Sequence, residues 1–238
     1  MKGIVDFHSH ILPGVDDGSA SVEESIAMLR MEADQGVRHV VVTPHFYAQH
    51  DSIADFLERR AESEKRLRGE MAKYHDLPEI TVGAEVYFFR GISQSEVLHQ
   101  LTIGKTPYCL IEMPHAPWTD SMYRELEEIY YNQGIIPIIA HVDRYIGSFR
   151  TYGIPGRLAE LPVVVQANAG FFLKKSTSAM ALRMLKANSI HLLGSDCHNL
   201  SSRSPNLCGA LALIRRRLGD SSIDAIHGWQ QHVLQDEL

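Results

Sequence analysis

The chain is expected to fold as an α/β protein, a distorted (β/α)7 barrel in a single domain covering 1–238. Three observations predict this. Short apolar runs alternate with amphipathic stretches through some seven units, the pattern of a parallel sheet covered by helices. The run His39-Val40-Val41-Val42-Thr43 is continuous and rich in β-branched residues, as in parallel strands buried on both faces. No glycine-rich phosphate loop follows the first strand, where a dinucleotide-binding sheet would put one, so a barrel is preferred to an open sheet. The 238 residues suit one unit, because such folds run to about 250 residues.

Gly3, Ile4 and Val5 lead into a first strand that runs out at Asp6-Phe7-His8-Ser9-His10. A polar loop follows from Pro13 to Ser21. Ser21-Val22-Glu23-Glu24 is a capping-box pattern that opens a helix to about Gln35, and Gly36 closes it. The second strand is His39–Thr43. A long charged helix is expected from about Ile53 to Tyr74, a third strand over Ile80–Ala84 and a weaker helix near Gln94–Leu101. Tyr108–Ile111 is the fourth strand. Met122–Gln133 is a helix ended by Gly134. Ile135–Ala140 is the fifth strand, with Pro137 awkward for a central position. Val163–Ala167 is the sixth strand, Ser178–Ala187 a helix and Ile190–Leu193 the seventh strand. Helices at about Leu207–Leu218 and Ser222–Leu234 complete the chain.

Composition excludes several classes. A net charge of −6 argues against general nucleic-acid binding, which needs a basic face. Cys109, Cys197 and Cys208 are too few and too scattered for a disulfide framework. No leader-like segment and no long apolar run stands out, so a cytoplasmic protein without a membrane span is expected.

The chemistry is concentrated where strands end. His8 and His10, two apart on a strand, point to one side. Asp16 and Asp17 lie in the next loop. His45 follows the second strand, Glu85 the third, Glu112 the fourth, His141 with Asp143 and Arg144 the fifth, and Asn168 the sixth. Asp196 and His198 follow the seventh. Metal-type ligands thus end six of seven strands. In a parallel barrel those ends share the face on which active sites are built. Caps and turns account for one such residue, not for this set. Nine donors, His8, His10, Asp17, His45, Glu85, Glu112, His141, Asp196 and His198, are too many for one ion, so two or three ions are expected, with Glu85 or another carboxylate as a bridge. Nitrogen and oxygen donors suit Mn, Fe or Zn. Closely spaced divalent ions supply ionised water near neutral pH and clamp the oxygens of an in-line displacement, which points to phosphoester hydrolysis. Arg144 and Arg203 are placed to fork onto phosphate oxygens. Cys197 lies between two ligands and is expected to be a small side chain that turns away from the metals rather than a nucleophile.

The ordered set His8-x-His10, His45, Glu85, Glu112, His141 and Asp196-x-His198 resembles the PHP (polymerase and histidinol phosphatase) superfamily. The stretches Asp6–Gly18, Thr43-Pro44-His45, Gly83-Ala84-Glu85 and Ser195–Asn199 resemble its branch of bacterial tyrosine-protein phosphatases from capsule and exopolysaccharide loci. The resemblance covers essentially the whole chain. It implies a distorted (β/α)7 barrel with three divalent ions, commonly manganese. His8, His10, Glu85 and Asp196 would hold one ion. Glu85, Glu112 and His141 would hold a second. Asp17, His45 and His198 would belong to the third. Arg144 and Arg203 would grip phosphate, and the substrate would be phosphotyrosine on the tail of a bacterial tyrosine kinase. The chain departs from the family at His141-Val142-Asp143-Arg144, where His-Pro-Glu-Arg is usual, and at Arg203-Ser204-Pro205, where Arg-Pro-Pro is usual. A histidinol-phosphate phosphatase, a non-catalytic metal-stabilised binding module and a metal-dependent nuclease are the alternatives.

Overall fold

The computed structural model describes residues 3–146 and 153–235. The elements in order are β1 (Ile4–Ser9), α1 (Val22–Asp34), β2 (Val37–Val42), β3 (His45–Phe46), α2 (Ile53–Met71), β4 (Glu79–Val82), β5 (Glu85–Tyr87), β6 (Tyr108–Glu112), α3 (Asp120–Gln133), β7 (Ile136–Ile139), α4 (Ile154–Leu158), β8 (Val164–Asn168), α5 (Ala169–Leu173), α6 (Ser178–Lys186), β9 (Leu192–Gly194), α7 (Leu207–Leu218) and α8 (Asp220–Gln235). Every strand pair described is parallel. The pairings run β1-β2-β4 and β3-β5-β6-β7-β8-β9.

Two expected strands are each followed by a short further strand that was not expected. Pro44 has no N–H to donate, and β2 stops before it. The chain resumes as β3, while the Gly83 and Glu85 N–H groups donate to the carbonyls of Val42 and Pro44 and carry the pairing across the break. The sheet also curls back on itself. The Asp196 N–H donates to the His8 carbonyl at 2.8 Å, and the His10 N–H donates to the Cys197 carbonyl at 2.9 Å. The architecture is therefore mixed α/β, a curled parallel sheet with helices outside.

The apolar core has two layers. Phe7, Val41, Leu110, Ile138, Val164 and Leu192 meet inside the curl. Alternate residues such as Val40, Ile111, Ile139, Val165 and Leu193 pack outward with the helices. Phe7 belongs to the inner layer, yet His8 also faces inward. Consecutive inward side chains need a break in strand alternation, and β1 has one: its register against β2 shifts between Asp6 and Ser9.

Three expectations are corrected. The helix near Gln94–Leu101 is two short 3₁₀ turns, Ile92–Gln94 and Glu96–Gln100. Pro137 sits in a strand flanked on both sides. Ile136 and Ala140 donate toward β6, so residue 137 faces β8, which pairs only from Ile138 onward, and no ladder bond is lost. The third helix starts at Asp120 rather than Met122, after Thr119.

Where the curl meets itself, a buried acid pair joins three elements. Asp6 Oδ1 accepts the N–H groups of His8 (3.1 Å) and Ser195 (2.9 Å). Its partner is Glu32 of α1, and both residues are fully buried. Burial, reinforced by the Asp6 charge, pushes the Glu32 carboxyl up to about 10. Glu32 therefore keeps its proton and donates it to Asp6.

Two outcomes follow. A raised folded pKa means that this stabilisation is complete below pH 4.5 and is lost as pH rises toward 10. Urea unfolding in chelator should show Glu32→Gln gaining on the natural protein as pH rises from 6 to 9, by up to ~1.4 kcal/mol per unit. A Cβ on Gly194 would lie 2.5 Å from His8 Cβ and 2.8 Å from Gln166 Nε2. Gly194→Ala should lower stability by about 1–3 kcal/mol and reduce metal uptake together, read by thermal melts and elemental analysis.

Candidate metal centre

Glu85, at the start of β5, is 1% exposed and is surrounded by four imidazoles. Its Oε2 lies 3.1 Å from His8 Nε2, 3.3 Å from His10 Nε2 and 3.1 Å from His45 Nδ1. Its Oε1 lies 2.8 Å from His141 Nε2. Asp196 Oδ1 is 3.6 Å from His8 Nε2 and 3.5 Å from His10 Nε2. Glu112 Oε1 is 3.5 Å from His141 Nε2. Asp17, exposed at the rim, reaches His45 Nε2 at 3.5 Å and His198 Nε2 at 3.4 Å.

Local backbone aims these groups. His45 and Glu85 are directly paired across β3 and β5. Ile138 of β7 and Ala140 just after it face inward, so His141 would turn outward in a regular strand. It adopts φ 30° instead, and Asp196 adopts φ 55°. Left-handed backbone at a non-glycine residue is costly and clusters at functional sites.

A second set of groups orients the rings. His10 Nδ1 lies 2.7 Å from Asp16 Oδ2 and donates to it, which leaves Nε2 for the centre. His8 Nδ1 faces Gln166 Oε1 at 3.3 Å, and that oxygen also accepts the His141 N–H at 2.6 Å. His198 Nδ1 donates to the Asp196 carbonyl at 3.0 Å. Asn168 Nδ2 donates to Asp196 Oδ2 at 2.9 Å.

The residues present fit a group of divalent cations. Glu85 Oε2, His45 Nδ1 and His198 Nε2 are buried polar atoms without a hydrogen-bond partner, and all three point into the cluster. At this centre three sets have donor atoms within 4.8 Å of one another: His8, His10 and Glu85; His45, Glu85 and Glu112; and His10, Asp17, His45 and His198. The electrostatics ask for positive charge. Burial alone would raise Glu85 and Asp196, but the facing histidines, His8 foremost, hold both well below the usual carboxylate range. Burial works against a charge on His8, yet Glu85 and Asp196 hold its pKa above the ordinary value. Glu112 is pushed up to about 7 by burial and by the Glu85 charge beside it.

Every predicted donor lies at this face. The sets differ in detail from those the resemblance implied, because His10 and His45 each reach two of them. Arg144 donates to Glu112 at 3.2 Å and to Asp196 at 2.6 Å, and Arg203 donates to Asp196 at 2.8 Å. Both arginines are thus held at the rim by acids of the centre. Cys197 turns away, buried with its sulfur 3.9 Å from Glu32 Oε1. Sequence reasoning missed the orienting roles of Asp16 and Gln166. The adjacent acids Asp16-Asp17 were a signal for the first, whereas Gln166 lies within an apolar strand and gave none. A separate cavity of about 540 Å³, lined by Arg38, His39, Glu79 and His227, lies at the opposite ends of β1, β2 and β4.

The family described as "Capsular polysaccharide synthesis, CpsB/CapC" matches residues 4–232. The chain is 31% identical to the tyrosine-protein phosphatase YwqE of Bacillus subtilis, over 91% of this chain and 85% of that protein. It is 30% identical to the tyrosine-protein phosphatase CpsB of Streptococcus agalactiae serotype V, over 91% of both. Among solved structures it superposes with TM-score 0.83 and 26% identity, over 99% of this chain and 96% of the other, on a structure from the study of B. subtilis YwqE and Streptococcus pneumoniae CpsB, described as metal-dependent tyrosine phosphatases. The histidinol phosphate phosphatase of Lactococcus lactis shares the fold, with TM-score 0.57 at 14% identity over 90% of this chain and 93% of that one. The chain belongs to the CpsB/CapC family.

Proposed function

We propose that this chain is a metal-dependent protein-tyrosine phosphatase acting in the cytoplasm, on the flexible tyrosine-bearing tail of a bacterial tyrosine kinase that controls capsule or exopolysaccharide synthesis. The observation that carries the reading is the convergence of four imidazoles on Glu85 in a member of this family. We read the curled sheet as seven β/α units, with β2 and β3, and β4 and β5, each one bent strand.

His8, His10, Glu85 and Asp196 would hold one ion. Glu85, Glu112 and His141 would hold a second, with His45 in reach. Asp17, His45 and His198 would hold a third. The donor set suits manganese, and iron or zinc also fit it. Bound divalent ions would supply ionised water near neutral pH and offset the charge of the phosphoryl oxygens.

The chain's own groups do the rest. Asp16 and Gln166 fix the ring orientations of His10 and His8. Arg144 and Arg203 are more than a third exposed and share the Asp196 anchor, which presents two guanidiniums to a phosphate entering the mouth. Their planar donor arrays match phosphate oxygens. A phenolate leaving group, from a phenol of pKa about 10, departs with less protonation than an alkoxide. Among the described residues no helix is long and apolar enough to cross a membrane.

The direct test is hydrolysis of a phosphotyrosine peptide, a phosphoserine peptide and histidinol phosphate after chelation and return of Mn²⁺. Metal-restored activity on the phosphotyrosine peptide is expected. Activity confined to histidinol phosphate would replace the substrate. Arg144→Lys and Arg203→Lys should each cut kcat/KM by about 10²–10³ with manganese content unchanged. Mn²⁺ at a hundred times its Kd should stabilise the chelated protein by about 2.7 kcal/mol, and Glu85→Gln should abolish that gain in thermal melts.

A further inference from the structure

Two aromatic side chains stand beside the centre. His45 and Glu85 face each other across the β3–β5 ladder, and side chains two residues further on return to the same face. Those residues are Tyr47 and Tyr87. Their ring centroids are 5.6 Å apart at 39°, and the Tyr47 ring lies 5.3 Å from the His45 ring. The intervening residues go the other way: Phe46 packs on Phe56 of α2, and Val86 is buried in the outer layer. Tyr87 is the ladder partner of Glu112. Both tyrosines are half-buried. Tyr47 follows β3 and Tyr87 ends β5, while Arg144 and Arg203 follow β7 and β9 and both donate to Asp196.

We propose that Tyr47 and Tyr87 form an aryl-binding wall that stacks the phenyl ring of phosphotyrosine while its phosphate lies toward Arg144 and Arg203, so that the pair selects aryl over alkyl phosphates. The proposal rests on the phosphatase reading above and names the groups that make it specific. Rings attract one another in offset or tilted arrangements with centroids about 4.5–7 Å apart. Two tyrosines already at such a spacing present a preformed face to a third ring. A phosphoserine places its phosphate one methylene from the backbone and has no ring to reach this wall.

The test uses the Mn²⁺-loaded full chain and the variants Tyr47→Leu, Tyr87→Leu, Tyr47→Phe and Tyr87→Phe. Three readouts are taken: manganese content, the ratio of kcat/KM on phosphotyrosine to phosphoserine peptide, and calorimetric Kd for benzylphosphonate beside ethylphosphonate. Each leucine variant should lower the hydrolysis ratio about tenfold and weaken benzylphosphonate relative to ethylphosphonate by a similar factor. Each phenylalanine variant should keep both ratios near those of the natural protein. Unchanged ratios in both leucine variants, with manganese retained, would overturn the aryl wall and leave the phosphatase reading intact. Equal losses in the phenylalanine and leucine variants would also overturn it, since the hydroxyls rather than the rings would then be at work. If the natural protein hydrolysed neither peptide, the phosphatase reading would fall. The phosphonate arm would still decide the wall: a benzyl preference abolished by leucine supports it, and no preference removes it.

Discussion

The structure is organised by the cost of burying Glu85. A carboxylate taken out of water is tolerated only when it is paired. Here the pairing is supplied by four imidazoles drawn from β1, β3 and the end of β7. Imidazoles that face acids on one side need a fixed partner on the other, and Asp16, Gln166 and the Asp196 carbonyl provide those partners. The same arrangement that makes the cluster costly without cations makes it a good host for them. Cation binding at this site would therefore be coupled to folding.

Much of the irregular backbone serves that cluster. β1 shifts register so that Phe7 can enter the core while His8 enters the centre. Pro44 breaks the second strand and sets His45 opposite Glu85. His141 and Asp196 take left-handed conformations that regular strands would forbid. The Asp6–Glu32 pair closes the curl at the level of the first two histidines, tying β1, α1 and the segment after β9 to one shared proton. These departures cluster where the chemistry is, while the middles of the strands are filled by ordinary apolar packing.

The parallel α/β architecture and the nine side chains that gather at the strand ends were legible because both depend on local signals. Apolar runs mark strands, and the residue after each run marks the functional face. What was hidden depends on tertiary context. The division of the second and third strands follows from how Pro44 and Gly83 sit against neighbouring carbonyls. Gln166 reads as a stray polar residue in an apolar strand until His8 and His141 are seen on either side of it. The grouping of donors was legible only in part, because His10 and His45 stand between sets and sequence order does not say which carboxylate each will face. Tyr47 and Tyr87 carried no motif. Their role rests on the two-residue period that sets them above His45 and Glu85.

The architecture divides the work of a phosphatase by position. The candidate cation-binding groups form the floor, two guanidiniums are anchored on Asp196, and two aromatic rings stand beside His45 and Glu85. The claim on which this depends is that the floor binds metal through Glu85. Anomalous diffraction at the manganese edge, from crystals grown with Mn²⁺, tests it most directly. The expected result is two or three peaks among the strand ends, with two of them about 2.0–2.2 Å from Glu85 oxygens and histidine nitrogens. Ordered manganese confined to other sites, with Glu85 still paired to its histidines alone, would contradict the account.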